Sequence, residues 1–127
     1  MEHQEQFHFN EAMRQRCFEM SIQVYELVKD KRVNYVTRSI IGQVIRSSSS
    51  VTANFRAATR ARSNGEFYAK ICIVVEECDE TQYWLEYLLR IGLVKDPEIS
   101  GLNNEICQLL SIFTSMKKKM KTKLTTK

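Results

Sequence analysis

Apolar side chains recur at every third or fourth position through four separate stretches of this chain, and four Gly and one Pro in 127 residues do little to interrupt them. That spacing is the period of a helix with one buried face, and the shortage of turn residues argues against a β-rich fold with many tight corners. In the first stretch Met13, Cys17, Met20, Val24 and Leu27 form the stripe, widened by Phe18, Tyr25 and Val28. Ile40, Ile41, Val44, Ser48, Val51, Phe55 and Ala58 form the second, Phe67, Ile71, Val74, Cys78, Leu85 and Leu88 the third. Ile99, Leu102, Ile106, Leu109, Leu110, Phe113, Met116 and Met120 form the fourth.

The segment Arg46–Arg62, RSSSSVTANFRAATRAR, decides how the second stretch is read. Four consecutive serines, Ser47 to Ser50, have the composition of a linker, yet they keep phase with apolar residues on both sides. They therefore belong inside the helix, where small side chains permit close approach of a neighbour and hydroxyls bond carbonyls one turn back. Boundary signals place the helices at about 10–31, 37–61, 64–91 and 98–122. Asn10 and Thr37 are the expected N-caps, Ser63 and Glu66 have the capping-box spacing, Gly92 ends the third helix and Asp96-Pro97 starts the fourth. Residues 32–36 supply the first connection. Short connections between four amphipathic helices predict a single all-α domain, an antiparallel up-down-up-down four-helix bundle over residues 1–127 with a basic C-terminal tail. A helix of ~25 residues gives it a length of roughly 37 Å.

The net charge of +4 conceals an alternation: −3 over residues 1–28, +7 over 29–70, −6 over 71–116 and +6 over 117–127. Such separation suits an anionic partner, or like subunits that meet basic face to acidic face. Cys17, Cys72, Cys78 and Cys107 form no CxxC pair; Cys17, Cys78 and Cys107 fall at core-like positions and read as buried small hydrophobes in a reducing cytoplasm. No apolar run is long enough for a membrane span, and MEHQEQFHF lacks the pattern of a signal peptide, so the expected location is cytoplasmic.

Nothing in the sequence assembles a catalytic site. His3 and His8 sit in a terminal segment expected to fray, and no nucleophile elbow, glycine-rich phosphate loop or HExxH occurs. Glu76, Glu77, Asp79 and Glu80 lack the histidines that a di-metal bundle requires, so neither a metal nor another cofactor is expected.

Two surfaces stand out instead. On the second helix Arg38, Arg46, Arg56 and Arg60 fall within an arc of roughly 80°, and Arg62 follows in sequence as a further candidate contact. Such arginines grip carboxylates or contact phosphates. Lys117, Lys118, Lys119, Lys121, Lys123 and Lys127 add a solvated, fraying end that supplies salt-dependent affinity for nucleic acid but has no aromatic nearby for stacking bases. On the third helix Ile73, Glu76, Glu77, Glu80, Trp84 and Tyr87 mix large apolar groups with acids outside the expected core, the pattern of a protein interface.

The stretches Ile45-Arg46-Ser47-Ser48, Ala53-Asn54-Phe55-Arg56-Ala57-Ala58, Arg60-Ala61-Arg62-Ser63, Phe67 and Ile73 through Glu86, with its EECDETQYWLE, together resemble a bacterial family. These are the four-helix bundle proteins encoded in intervening sequences of 23S ribosomal RNA genes, and the similarity runs over about residues 15–120. Many relatives carry Ile-Pro-x-Asn-Ile-Ala-Glu-Gly where this chain has Val51 to Ala58, without the Pro and Gly. The resemblance implies a homopentameric, barrel-like ring and no catalytic activity. A more distant likeness, to the basic accessory protein of diversity-generating retroelements, implies RNA or DNA, or a reverse-transcriptase-like protein, as partners. The resulting expectation is a self-assembling, non-enzymatic bundle that binds nucleic acid or a ribonucleoprotein. Its alternative is a purely structural oligomer in which Arg46, Arg56 and Arg60 pair with Glu76, Glu77 and Glu80 of a neighbouring subunit.

Overall fold

A computed structural model describes residues 1–31 and 34–126, and they form four helices: α1 (Glu2–Val28), α2 (Tyr35–Thr59), α3 (Asn64–Arg90) and α4 (Asp96–Thr125). The helices pack in the cyclic order α1–α2–α3–α4–α1. With short connections this is the antiparallel four-helix bundle that the apolar spacing predicts. The ends of α2 and α4 and the starts of α1 and α3 therefore share one pole.

Each stripe is buried nearly as expected. Cys17, Met20 and Val24 of α1, Val44, Val51 and Phe55 of α2, Ile71, Val74 and Leu85 of α3, and Ile106, Leu109 and Phe113 of α4 are wholly inaccessible. Phe55 and Phe113 reach across the bundle from opposite helices, their ring centroids 5.1 Å apart, and tie the core together along its diagonal. Phe18 and Tyr25 are instead exposed, and Leu27 is only half-buried, so α1 buries a narrower stripe through Met13 and Val28.

The serine run lies inside α2, as its phase demands. Ser47 and Ser48 are buried, and their hydroxyls donate to the carbonyls of Val44 and Ile45 at 3.3 and 3.2 Å. The buried Thr81 of α3 meets this segment, its Oγ1 lying 2.9 Å from Ser47 Oγ and 2.8 Å from the Glu77 carbonyl. Small residues thus bring α2 and α3 together in the most extensive helix pairing of the bundle.

Two N-caps differ from the expectation. Asn10 lies within α1, where its Oδ1 accepts from Gln6 Nε2 at 2.9 Å. The helix extends back to Glu2, with residues 1–9 exposed and Gln6, Phe9 and Asn10 bordering a groove with the end of α4. At α2 the cap is Asn34, whose Oδ1 accepts from the Thr37 backbone N–H at 3.0 Å while Thr37 Oγ1 accepts from the Asn34 N–H at 3.1 Å. Thr37 is the returning partner of a capping box rather than the cap. Within the expected first connection, residues 32 and 33 lie outside the described residues and Tyr35 and Val36 are already helical.

Ser63 caps α3 as its spacing indicates, accepting from the Glu66 N–H at 3.1 Å, although Glu66 returns to the Arg62 N–H at 3.4 Å rather than to Ser63. Gly92, at φ 79°, closes α3: its N–H bonds the Leu89 carbonyl at 3.1 Å and that of Leu93 bonds the Leu88 carbonyl at 3.0 Å. A side chain with a Cβ would be strained there. Cys107 departs from its expected burial. It sits one residue, or about 100°, beyond Ile106 on α4 and is exposed, with Gln82 Nε2 2.9 Å from its sulfur.

Candidate nucleic-acid interface

The arginines of α2 divide into three groups. Arg38 lies near the start of the helix, at the pole opposite Arg56 and Arg60, about 33 Å from Arg60 by helical rise. Arg46, at mid-helix, faces α3: Nη1 and Nη2 bond the Glu77 carboxylate at 3.3 and 3.2 Å, and Nη2 bonds Glu80 Oε2 at 2.5 Å. These bonds hold its guanidinium above its ordinary pKa. Both carboxylates belong to its own chain, so an account that gives Arg46 to a neighbouring subunit meets a site already occupied. Arg56 and Arg60 have no carboxylate partner among the described residues, whereas Arg62 reaches Glu66 at 3.5 Å.

The lysines at the end of α4 are helical rather than frayed. Thr122 and Thr125 hydroxyls donate to the carbonyls of Lys118 and Lys121 at 3.2 and 3.1 Å along this last section. Lys117, Lys118, Lys119, Lys121 and Lys123 form no ion pair with any described residue; Lys127 lies outside the described residues. Because α2 and α4 end at the same pole, two unpaired arginines and five unpaired lysines gather there. Their separation in sequence hides this concentration.

The same pole carries an aromatic ring that the sequence did not bring near the lysines, and a second lies further along α1. Phe9, 44% exposed, lines a groove of about 430 Å³ with Phe67, Met116, Met120, Lys119 and Lys123. On the other side of α1, Phe18 lines a groove of about 320 Å³ with Arg14, Thr52, Arg56 and Arg60. Glu11 also borders this second groove, but Arg14 neutralises it in a direct ion pair. The hydroxyl of Thr52 is buried and has no hydrogen-bond partner. By contrast, the groove between α1 and α4, about 660 Å³, is bordered by Glu19, Glu26, Glu98 and Glu105, the last three paired with Lys29, Lys31 and Arg16, and no cation lines it.

The acidic and aromatic face of α3 is more embedded than its sequence suggests. Trp84 is half-buried against the core and its Nε1 donates to Glu80 Oε2 at 3.1 Å; Ile73 is also half-buried and Glu76 is exposed. Outside it, Tyr83 and Tyr87 remain accessible and pack around Trp84 with ring centroids 4.9 and 5.6 Å away. Tyr83 was not anticipated, since it lies off the arc of the other residues. Among the described residues no three His, Cys, Asp or Glu side chains are grouped to hold a metal ion, and no described helix is long and apolar enough to cross a membrane.

Comparison with known proteins agrees with this architecture. The model of the 23S rRNA-intervening sequence protein family matches residues 10–115. The chain belongs to that family. A solved structure of a protein of unknown function from the S23 ribosomal protein family of Bacteroides thetaiotaomicron is also similar, with 26% identity and a TM-score of 0.74 over 84% of this chain and 98% of that one. No curated protein matches the chain. Neither the family nor the similar structure is described by an enzymatic activity. The family match stops before Lys117 and begins after Phe9, so part of the basic pole lies outside it.

Proposed function

We propose that this protein is a non-enzymatic, self-assembling bundle whose basic pole engages nucleic acid, RNA or a ribonucleoprotein foremost. The observation that carries this reading is the gathering at one end of Arg56, Arg60 and the α4 lysines, none of them ion-paired with a described carboxylate, although Glu2 and Glu5 share a groove with Lys123. A row of cations fixed on helices offers phosphates a preformed counter-charge, and association releases the ions condensed on the polymer. The accessible Tyr83 and Tyr87 with exposed Glu76 favour a second, compatible role for α3 as the surface that joins subunits into a pentamer-like ring.

Molar mass in solution at low and high salt, measured with the ratio of ultraviolet absorbances that reveals co-purifying nucleic acid, tests both parts. The expected result is an oligomer that retains RNA at low salt. In an Arg56→Glu/Arg60→Glu variant the oligomer persists and the RNA is lost. Dissociation of the variant would instead assign these arginines to a subunit interface, the purely structural reading. A monomer with a protein-like absorbance ratio would defeat the proposal.

A further inference from the structure

We infer that the basic pole selects single-stranded over duplex nucleic acid, because two grooves, one at the pole and one running from it along α1, each pair an exposed phenylalanine with two cations that no described carboxylate pairs. The inference rests on the nucleic-acid reading above and adds the form of the ligand. On one side of α1, Phe9 stands beside Lys119 and Lys123; on the other, Phe18 stands beside Arg56 and Arg60. The two rings are nine residues apart, which places them on opposite sides of α1, about 14 Å apart along its axis.

The chemistry of each groove is that of a stacking site with a phosphate clamp. Phe9 and Phe18 are 44% and 55% exposed, so each ring keeps a face open to its groove. An unpaired base offers such a ring its π-face, while the flanking phosphates meet the cations; the contact tolerates any base because every base has such a face. In a duplex the faces are already stacked within the helix, so the same grooves meet only phosphates. Grooves of about 430 and 320 Å³ suit an inserted planar ring.

Fluorescence anisotropy on the full chain, with a labelled 20-nucleotide oligothymidine or oligouridine and a 20-base-pair duplex as probes, tests this across a range of salt. The wild type is expected to bind the single strands more tightly than the duplex. Phe9→Ala and Phe18→Ala should each weaken single-strand binding at least about fivefold, the lower bound for one stacked base, and leave duplex binding and the salt dependence unchanged. Phe→Trp at either position should preserve the affinity. Phe→Leu, which keeps the apolar bulk and hence the fold, should lose it. Duplex affinity equal to that of the single strands, together with alanine variants that bind like the wild type, would overturn this inference and leave the electrostatic reading standing. Failure of the wild type to bind any of the probes at low salt would remove both.

Discussion

The division of the α2 arginines yields a measurement that separates a cation available to phosphate from one already neutralised. Each phosphate neutralised on a single strand contributes about −0.7 to the slope of log K against log salt. If the seven unpaired cations of the pole all engage, the wild-type slope approaches about −5. Replacing Arg56 and Arg60 by Gln removes two contacts, making the slope shallower by about 1.4, so that the penalty is roughly sevenfold larger at 50 mM than at 200 mM salt. Arg46→Gln removes one charge of the same kind, worth about 0.7 in slope if it contacted phosphate, but from a guanidinium that Glu77 and Glu80 hold at 3.2 and 2.5 Å. It should leave the slope unchanged. Anisotropy titrations of the three proteins with one oligonucleotide at four or five salt concentrations supply the slopes. Equal slopes for the wild type and the Arg56/Arg60 variant, or a slope made shallower by about 0.7 in Arg46→Gln, would refute the argument that pairing within the chain decides which arginines bind.

Phe55→Ala, which empties the centre of the core opposite Phe113, should cost about 3–5 kcal/mol in urea unfolding. Burial pushes the Cys17 and Cys78 thiols up to about 12, so a thiol reagent at pH 8 should label the exposed Cys107 first and reach Cys17 and Cys78 only on unfolding. The Lys31 ammonium, 2.6 Å away, and the Lys95 N–H lower the Glu98 carboxyl below its ordinary 4.5. Its contribution is therefore complete above the unfolded value and fades as pH falls through the lower folded one; Glu98→Gln should lose less stability than the wild type on acidification below about pH 4.5, read as Tm.

How much of this was legible in the sequence depends on the distance over which each feature is decided. The four stripes, the helical serines, the Ser63 cap and the Gly92 terminus are set within a turn or two of chain, and local period and side-chain chemistry reveal them. The start of α1 at Glu2 carries no side-chain cap that a local signal would mark, so Asn10 reads locally as a cap although its carbonyl oxygen only takes a bond from Gln6. The acids around Glu77 are legible as a complement to the arginines. That Glu77 and Glu80 sit opposite Arg46 in the same chain follows only from the register of the α2–α3 hairpin. The proximity of Phe9 to Lys119 and Lys123 is of the same kind, and it supplies the aromatic ring that the lysine-rich segment lacks by itself.

The antiparallel order offers a structural explanation for some of the basic pole, and its magnitude shows what remains. Cations are favoured at helix C-termini, by about 0.3–1 kcal/mol each, but only within the last turn. That accounts for Arg56 in α2 and Lys123 in α4, the basic residues of those last turns. It does not account for Lys117, Lys118, Lys119 and Lys121, which lie further in. Two pairs on this section, Lys117 with Lys121 and Lys119 with Lys123, are four residues apart, where like charges cost about 0.2–0.5 kcal/mol per pair. None of these lysines is ion-paired with a described carboxylate, although Glu2 and Glu5 of α1 share a groove with Lys123. The isolated bundle thus gains nothing electrostatically from these interior lysines, and a bound polyanion is what would turn their mutual repulsion into attraction.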